Sequence, residues 1–130
     1  MIYLDYQATT PLAPEARDAM MRWLDGPGGT GFGNPHSPHR MGRQAKAAVE
    51  MARDQVAALF PAGGKVIFTS GATEALNLAL AGAMQAAPAG RDRIVTLATE
   101  HAAVLDTARA LDAAGYRLTV LPVDADGVVD

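Results

Sequence analysis

The sequence contains no cysteine. Without a thiol, these 130 residues can form no disulfide bond, no thiolate metal site and no nucleophilic cysteine. Cysteine usage therefore does not identify the cellular compartment.

An excess of positive charge is also missing. Eleven basic side chains stand against fourteen acidic ones, which gives a formal charge of −3 at pH 7. Such a chain offers no electrostatic footprint for DNA or RNA, so we expect no nucleic-acid partner.

Long hydrophobic runs are absent as well. No run approaches the roughly 18 apolar residues that a membrane span needs, and residues 1–6 lack the basic and apolar regions of a secretory signal. We therefore expect a soluble cytoplasmic protein without a membrane partner. Because 49% of the residues are hydrophobic, a domain with a proper core is possible, burying roughly two-thirds of the unfolded surface.

One stretch, from Val66 to Leu78, changes from a strand pattern to a helix pattern without a linker. Residues 66–69 form a short β-rich apolar run that predicts a buried strand, and the composition from 72 to about 87 predicts a helix. Gly71 lies between them, where it would let the backbone turn and leave room for a close neighbour.

The start of this predicted helix has two interpretations. The first N–H groups of a helix lack partners within it and lie at the positive end of its dipole, so the turn is a natural anion site, to which Thr73 adds a hydroxyl. Alternatively, Ser70 is an N-cap, and Thr73 and Glu74 are ordinary first-turn residues. The local pattern favours neither.

The second half of the chain alternates strand and helix patterns. The pattern predicts strands at 66–69, 94–98 and 116–121, separated by helices at 72–87 and 102–114. This order predicts an α/β fold with a mainly parallel sheet flanked by helices, in which ligands bind beyond the carboxyl ends of the strands. Two candidate site segments, 70–74 and 99–101, fall at such ends. The helix at 72–87 is apolar on nearly all sides, so we expect further protein to cover it.

The first half of the chain is less regular. Residues 2–4 predict a short strand, followed by a proline-stiffened arm and a helix from Pro14 to about Leu24. The glycine-rich stretch 26–35 is either a flexible linker or a structured functional loop. Ser37 then predicts an N-cap for the longest amphipathic helix of the chain, over residues 39–60.

Three histidines are candidates for chemistry. His101 either lies on a loop or helps order the start of the helix at 102, or it turns its ring toward a ligand whose phosphate lies at the turn near residue 71. Spacing alone favours neither interpretation. His36 and His39 have no Cys, Asp or Glu at ligand spacing, so we expect no metal site.

Four blocks of sequence, in this order and spacing, resemble the N-terminal part of a cysteine desulfurase of the IscS/NifS kind. Those enzymes belong to the class-V branch of the pyridoxal-phosphate (PLP) enzymes of aminotransferase fold type I. The resemblance covers all 130 residues, and the blocks are Ile2 to Pro11, Gly33-Asn34-Pro35 with Ser37 and His39, Phe68 to Glu74, and Thr99-Glu100-His101 with Ala103-Val104-Leu105.

The resemblance implies a role for three site residues. Ala72 and Thr73 would hold the phosphate of PLP, and the His101 imidazole would stack on the pyridine ring and take part in proton transfer. Residues 1–14 would be an N-terminal arm that packs with the small domain of the intact enzyme. Residues 15–130 would be an incomplete N-terminal portion of the PLP-binding large domain.

The resemblance also implies an activity. The intact enzyme would remove sulfur from L-cysteine, giving L-alanine and an enzyme persulfide for iron-sulfur cluster or thio-cofactor assembly. It would be a homodimer that delivers sulfur to an acceptor or scaffold protein. The Schiff-base lysine, the acid that binds the pyridine nitrogen, the substrate arginine and the nucleophilic cysteine of the family would all lie beyond Asp130, so we expect the 130 residues alone to be inactive.

Two departures from the family pattern limit this interpretation. Gln7 and Leu76 stand where family members often have small or polar residues, and Gln7 leaves the substrate in doubt. The alternatives are another class-V enzyme, such as an aminotransferase or a selenocysteine lyase, or a non-catalytic module if the chain naturally ends at Asp130.

Overall fold

A computed structural model describes residues 2–26, 31–61 and 64–129. In chain order its elements are α1 (Pro14–Leu24), α2 (Arg40–Ala57), α3 (Ala72–Gln85), β1 (Arg93–Leu97), α4 (Ala102–Ala113) and β2 (Arg117–Leu121). The chain forms two compact units, 1–67 and 68–130. The predicted division into an arm, 1–14, and a large-domain portion, 15–130, stays a prediction.

The first unit contains the two predicted helices of the N-terminal half. α1 begins with Pro14 at its first position, as predicted, and α2 is the longest helix of the described residues, with 18. α2 ends at Ala57 instead of 60. The prediction of Ser37 as its N-cap is wrong, because the side chain of His39 caps α2 by accepting a hydrogen bond from the Gly42 N–H at 3.1 Å.

The described end of the glycine-rich stretch is ordered against the start of α2. Asn34 accepts a hydrogen bond from the His36 N–H through Oδ1 and another from the Ser37 N–H through its carbonyl, both at 2.9 Å. Gly42 is buried, and a Cβ there would overlap the carbonyl oxygens of Asn34 and Ser37. Residues 31–35 are therefore not a flexible linker, whereas 27–30 lie outside the described residues.

The second unit confirms the predicted α/β character. β1 and β2 pair in parallel, from Arg93 opposite Arg117 to Leu97 opposite Leu121, and α4 is the crossover between them. α4 contacts both β2 and α3. Ile94 and Ala108 are buried, and Ala108 has no exposed surface, so the small core of this unit lies where α4 meets its neighbours.

The strands predicted at 66–69 and at 2–4 are wrong, because neither segment is a strand in the described part of the chain. A strand needs a neighbour that supplies a ladder of hydrogen bonds, and among the described residues such a ladder joins only β1 and β2. The Val66 carbonyl instead accepts a hydrogen bond from the Arg53 guanidinium, and Ile67 is 61% exposed. An apolar run therefore identifies residues suited to a strand but not the partner that makes them one.

α3 is an apolar helix with little cover. It contacts α4, yet none of its residues is buried, and Leu78 is 52% exposed. The expectation that other elements cover this helix is met in part, where α3 contacts α4. Within the described ranges, no helix combines the length and apolarity that crossing a membrane requires.

Candidate ligand site at two helix N-termini

The N-terminus of α3 has no side-chain cap among the described residues. Its N-cap position is occupied by Gly71, which has no side chain to offer. The backbone of Gly71 is extended, with φ 163° and ψ −177°, and a Cβ there would meet nothing within 4 Å. The backbone at Gly71 therefore does not require glycine, because any residue adopts this conformation.

Ser70 is not the N-cap of α3 but a partner of Glu74. Both its N–H and its hydroxyl lie 2.6 Å from Glu74 Oε2 and donate to that oxygen. These two hydrogen bonds, the side-chain bond above all, lower the pKa of the Glu74 carboxyl. Glu74 is the third residue of α3, so its side chain folds back over the helix start as in a capping box, one residue further out than usual.

The donors left at this helix start are those of an anion site. The N–H groups of Ala72, Thr73 and Glu74 have no partners within the helix, because they belong to its first turn. The Thr73 side chain is exposed and adds a hydroxyl. Backbone N–H groups, a hydroxyl and the positive end of the helix dipole together fit a phosphate group.

His101 is the N-cap of α4. Its Nδ1 accepts a hydrogen bond from the Ala103 N–H at 3.1 Å, so the first interpretation, in which this histidine orders the helix start, is confirmed. When Nδ1 is the acceptor, the proton of the neutral ring lies on Nε2. The imidazole is exposed, and its stacking on a ligand stays a prediction.

Only one of the two candidate segments follows a strand. Residues 99–101 come directly after β1, as predicted, whereas 70–74 follow a segment that pairs with no strand of the described chain. The two helix starts are instead related through the contact between α3 and α4.

A polar contact in that helix pair was missed by sequence reasoning. The Thr107 hydroxyl of α4 lies 2.6 Å from Asn77 Oδ1 of α3, and Asn77 Nδ2 donates to the Thr73 carbonyl at 2.8 Å. The available signal was Asn77 itself, an amide between two leucines on an otherwise apolar helix.

The histidines do not form a metal site. In the part of the chain that the structure describes, no group of three or more His, Asp or Glu side chains could hold a metal ion. The Nδ1 atoms of His39 and His101 are each engaged in capping a helix.

Comparison with known proteins identifies the family. The class-V aminotransferase family model matches residues 2–130. The mouse (Mus musculus) cysteine desulfurase is 46% identical, and the mitosomal cysteine desulfurase of Encephalitozoon cuniculi is 51% identical, each over 99% of this chain. The chain spans 28% and 30% of the length of those relatives.

Solved structures confirm the fold class. A NifS-like protein superposes with a TM-score of 0.80 at 33% identity, covering 99% of this chain and 34% of that one. A structure of SspA in complex with cysteine superposes with a TM-score of 0.79 at 30% identity, covering all of this chain and 37% of that one. The chain therefore has the α/β fold of the N-terminal portion of the PLP-dependent transferase large domain, as the resemblance predicted.

Proposed function

Since this chain belongs to the class-V aminotransferase family, we propose that it is the phosphate-anchoring part of a PLP-dependent cysteine desulfurase. The intact enzyme takes the sulfur of L-cysteine onto a thiol of its own, releasing L-alanine and leaving an enzyme persulfide. The names of the relatives support the activity, and the structure of SspA with cysteine supports the substrate. The proposed role of this chain rests on one observation, the absence of a side-chain cap at the N-terminus of α3 among the described residues.

The residues of α3 bind the phosphate in this proposal. The N–H groups of Ala72 and Thr73 donate to phosphate oxygens, and the Thr73 hydroxyl adds a charge-assisted hydrogen bond. Because the first turn lacks a side-chain cap within the described ranges, a phosphate would compete with no described capping side chain there. When bound, PLP supplies an electron sink for bond cleavage next to the substrate amine.

His101 holds the ring in this proposal. Its Nδ1 is engaged with the Ala103 N–H, which restrains the imidazole at the start of α4. The flat face remains for stacking on the pyridine ring, and Nε2 is the atom that gives or takes a proton. The same side chain thus caps its helix and contacts the cofactor, two roles that do not compete for one nitrogen.

The remaining features of the proposal concern the intact protein. Residues 1–14 pack as an arm with a small domain, and residues 15–130 belong to the large domain. Two copies form a homodimer that passes sulfur to an acceptor or scaffold protein. The limited cover of α3 supports the need for further protein around this part of the chain.

The test is cofactor titration of the complete gene product that contains these residues. Replacing Thr73 by Ala removes a hydrogen bond to a charged group worth about 1.5–3 kcal/mol, so we expect the Kd for PLP to rise about ten- to a hundredfold. Thr73→Ser, which keeps the hydroxyl, is the matched control and should bind nearly as well as the unchanged protein. Equal affinities for PLP in the Thr73→Ala and Thr73→Ser variants would contradict the site.

A further inference from the structure

A side-chain contact between Thr107 and Asn77 joins α4 to the first turn of α3. His101 Nδ1 accepts from the Ala103 N–H at 3.1 Å, and the Thr107 hydroxyl lies 2.7 Å from the Ala103 carbonyl oxygen. The same hydroxyl lies 2.6 Å from Asn77 Oδ1, and Asn77 Nδ2 donates to the Thr73 carbonyl at 2.8 Å. Both partners of this hydroxyl are acceptors and the hydroxyl has one proton, so it donates to only one of them at a time. The path that joins the two helices therefore runs from Thr107 through Asn77 to Thr73.

The Asn77 amide has only one suitable orientation in this path. The Thr73 carbonyl oxygen can only accept, so it must face Asn77 Nδ2, and Oδ1 then faces the Thr107 hydroxyl. In the flipped orientation two oxygens would face each other. The amide therefore makes two different bonds at once, which neither an apolar side chain nor a carboxylate can reproduce.

The α4 side of the contact is buried, whereas Asn77 on α3 is exposed. Thr107 is 9% exposed, and the adjacent Ala108 is fully buried. Asn77 is the sixth residue of α3 and Thr107 the sixth of α4. At a rise of about 1.5 Å per residue, the bond lies about 7.5 Å along each helix from its first residue. The two helices are thus joined at the same distance from their first residues, which sets the position of one helix start relative to the other.

The bond to Thr73 also acts on the donors of the anion site. The Thr73 carbonyl belongs to the same peptide group as the Glu74 N–H, which is one of the first-turn donors. A hydrogen bond to the oxygen of a peptide group polarises its N–H and makes it a stronger donor. Asn77 therefore influences the phosphate-binding turn both by position and by polarisation.

From this path we infer that Asn77 and Thr107 are positioning residues that hold the phosphate-binding turn of α3 in register with His101 of α4. The inference rests on the proposed function, since register matters when one ligand contacts both helix starts. Neither residue touches the cofactor in this arrangement. They affect the affinity for a ligand whose phosphate binds at the start of α3 while its ring contacts His101.

The experiment compares PLP with pyridoxal, which has the ring but no phosphate, in the complete gene product that contains this chain. Asn77→Ala and Thr107→Val each remove the bridge, so we expect the preference for PLP over pyridoxal to fall about two- to tenfold. Thr107→Ser restores the hydroxyl and should restore the preference. Gln85→Ala, at the far end of α3, is the matched control and should change nothing.

The double variant separates positioning from general stability. If both residues act through one bridge, Asn77→Ala combined with Thr107→Val lowers the preference no further than either change alone, whereas independent effects on packing would add. Asn77→Ala leaves Thr107 able to donate to the Ala103 carbonyl, so no buried hydroxyl loses its partner and the fold should persist.

Three results would distinguish a failure of this inference from a failure of the proposed function. An unchanged preference for PLP in Asn77→Ala, while Thr73→Ala lowers it, would overturn the bridge and leave the phosphate site in place. An additive loss in the double variant would overturn the bridge too. A protein without any preference for PLP over pyridoxal would overturn the proposed function itself.

Discussion

The N-termini of α3 and α4 differ in what binds their first N–H groups. α4 starts after His101, whose ring accepts from the Ala103 N–H, whereas α3 starts after Gly71 and receives no side-chain cap from the described residues. When the first-turn N–H groups of a helix already have acceptors, an anion adds few hydrogen bonds. When these N–H groups have no acceptor, an anion can accept from them. The unfilled cap of α3 is therefore what distinguishes the proposed anion site from the start of α4.

The first unit shows how the other helix starts are satisfied. α2 repeats the arrangement of α4, because His39 Nδ1 accepts from the Gly42 N–H at 3.1 Å. α1 also lacks a side-chain cap, but Pro14 removes its first N–H altogether. Only α3 therefore combines a full set of first-turn donors with an empty cap in the described chain, and three substitutions can break or sharpen this contrast.

The largest effect is expected from Gly71→Asp, which gives α3 the cap that it lacks. Gly71 is extended and a Cβ there has open space, so aspartate fits without strain. Its carboxylate would accept from the first-turn N–H groups and repel a phosphate. We expect the Kd for PLP, measured by absorbance titration of the complete gene product, to rise by more than about a hundredfold, while α3 becomes slightly more stable.

Gly71→Ala is the control for this prediction. Alanine fits the same backbone but adds neither a cap nor a charge, so PLP affinity should stay close to that of the unchanged protein. Tight PLP binding in Gly71→Asp would show that the cofactor phosphate does not occupy the α3 start.

An intermediate effect is expected at His101, where capping and stacking can be separated. His101→Ala removes both, and His101→Asn restores a cap without an aromatic ring. We expect hydrogen exchange at the Ala103 amide to accelerate about two- to tenfold in the alanine variant, in line with a cap worth about 0.5–1.5 kcal/mol. In the asparagine variant the exchange rate should return to that of the unchanged protein.

Cofactor binding should respond differently to the same pair. PLP affinity should fall in both variants if the ring stacks on the cofactor, because asparagine offers no flat aromatic face. His36→Ala, an exposed histidine that uses only its backbone N–H in the described contacts, serves as the control. If His101→Asn binds PLP as tightly as the unchanged protein, His101 caps α4 but does not stack on the cofactor.

The smallest effect is expected from Glu74→Gln, which changes the charge beside the open helix start. The pKa of Glu74 is lowered by its bonds from Ser70, so this contact stabilises the helix start above the ordinary glutamate pKa and is lost as the pH falls through the lowered value. Protection of the Ser70 amide should therefore decrease on acidification in the unchanged protein and lose that pH dependence in Glu74→Gln.

The same substitution should slightly raise PLP affinity near neutral pH, because it removes a negative charge close to the phosphate. Asp106→Asn, which removes an exposed carboxylate paired with Arg109 on α4, is the matched control and should leave both measurements unchanged. A decrease of PLP affinity in Glu74→Gln would show that the carboxylate supports the site.

The elements predicted best are those whose evidence is local. α1 begins at the predicted Pro14, and α2 is the predicted longest helix, because caps, prolines and apolar spacing within one segment determine a helix. β1 and β2 were predicted within one residue at each end, and their parallel pairing follows from the short crossover through α4. The strand at 66–69 failed because its ladder partner is not determined by its own residues.

The candidate site also combines features that local sequence predicts with features that depend on tertiary contacts. Ala72, Thr73 and His101 were singled out from the blocks shared with the cysteine desulfurases, and the structure places them in the first turn of α3 and at the cap of α4. Sequence reasoning could not choose between the two roles of His101, because a cap is recognised by the distance from Nδ1 to an N–H. Asn77 and Thr107 are 30 positions apart, and only helix packing brings them together.

The sequence by itself determined the family, the four helices and two parallel strands of the described residues, and the residues at the starts of α3 and α4. These features depend on neighbours along the chain, where periodicity, caps and motif spacing carry the information. Tertiary structure alone decided that Ser70 donates to Glu74 instead of capping α3, and that His101 caps α4. It also decided that Asn77 of α3 contacts Thr107 of α4. The physical reason is that a hydrogen bond needs donor and acceptor within about 3 Å and in line, a condition that packing sets and composition does not.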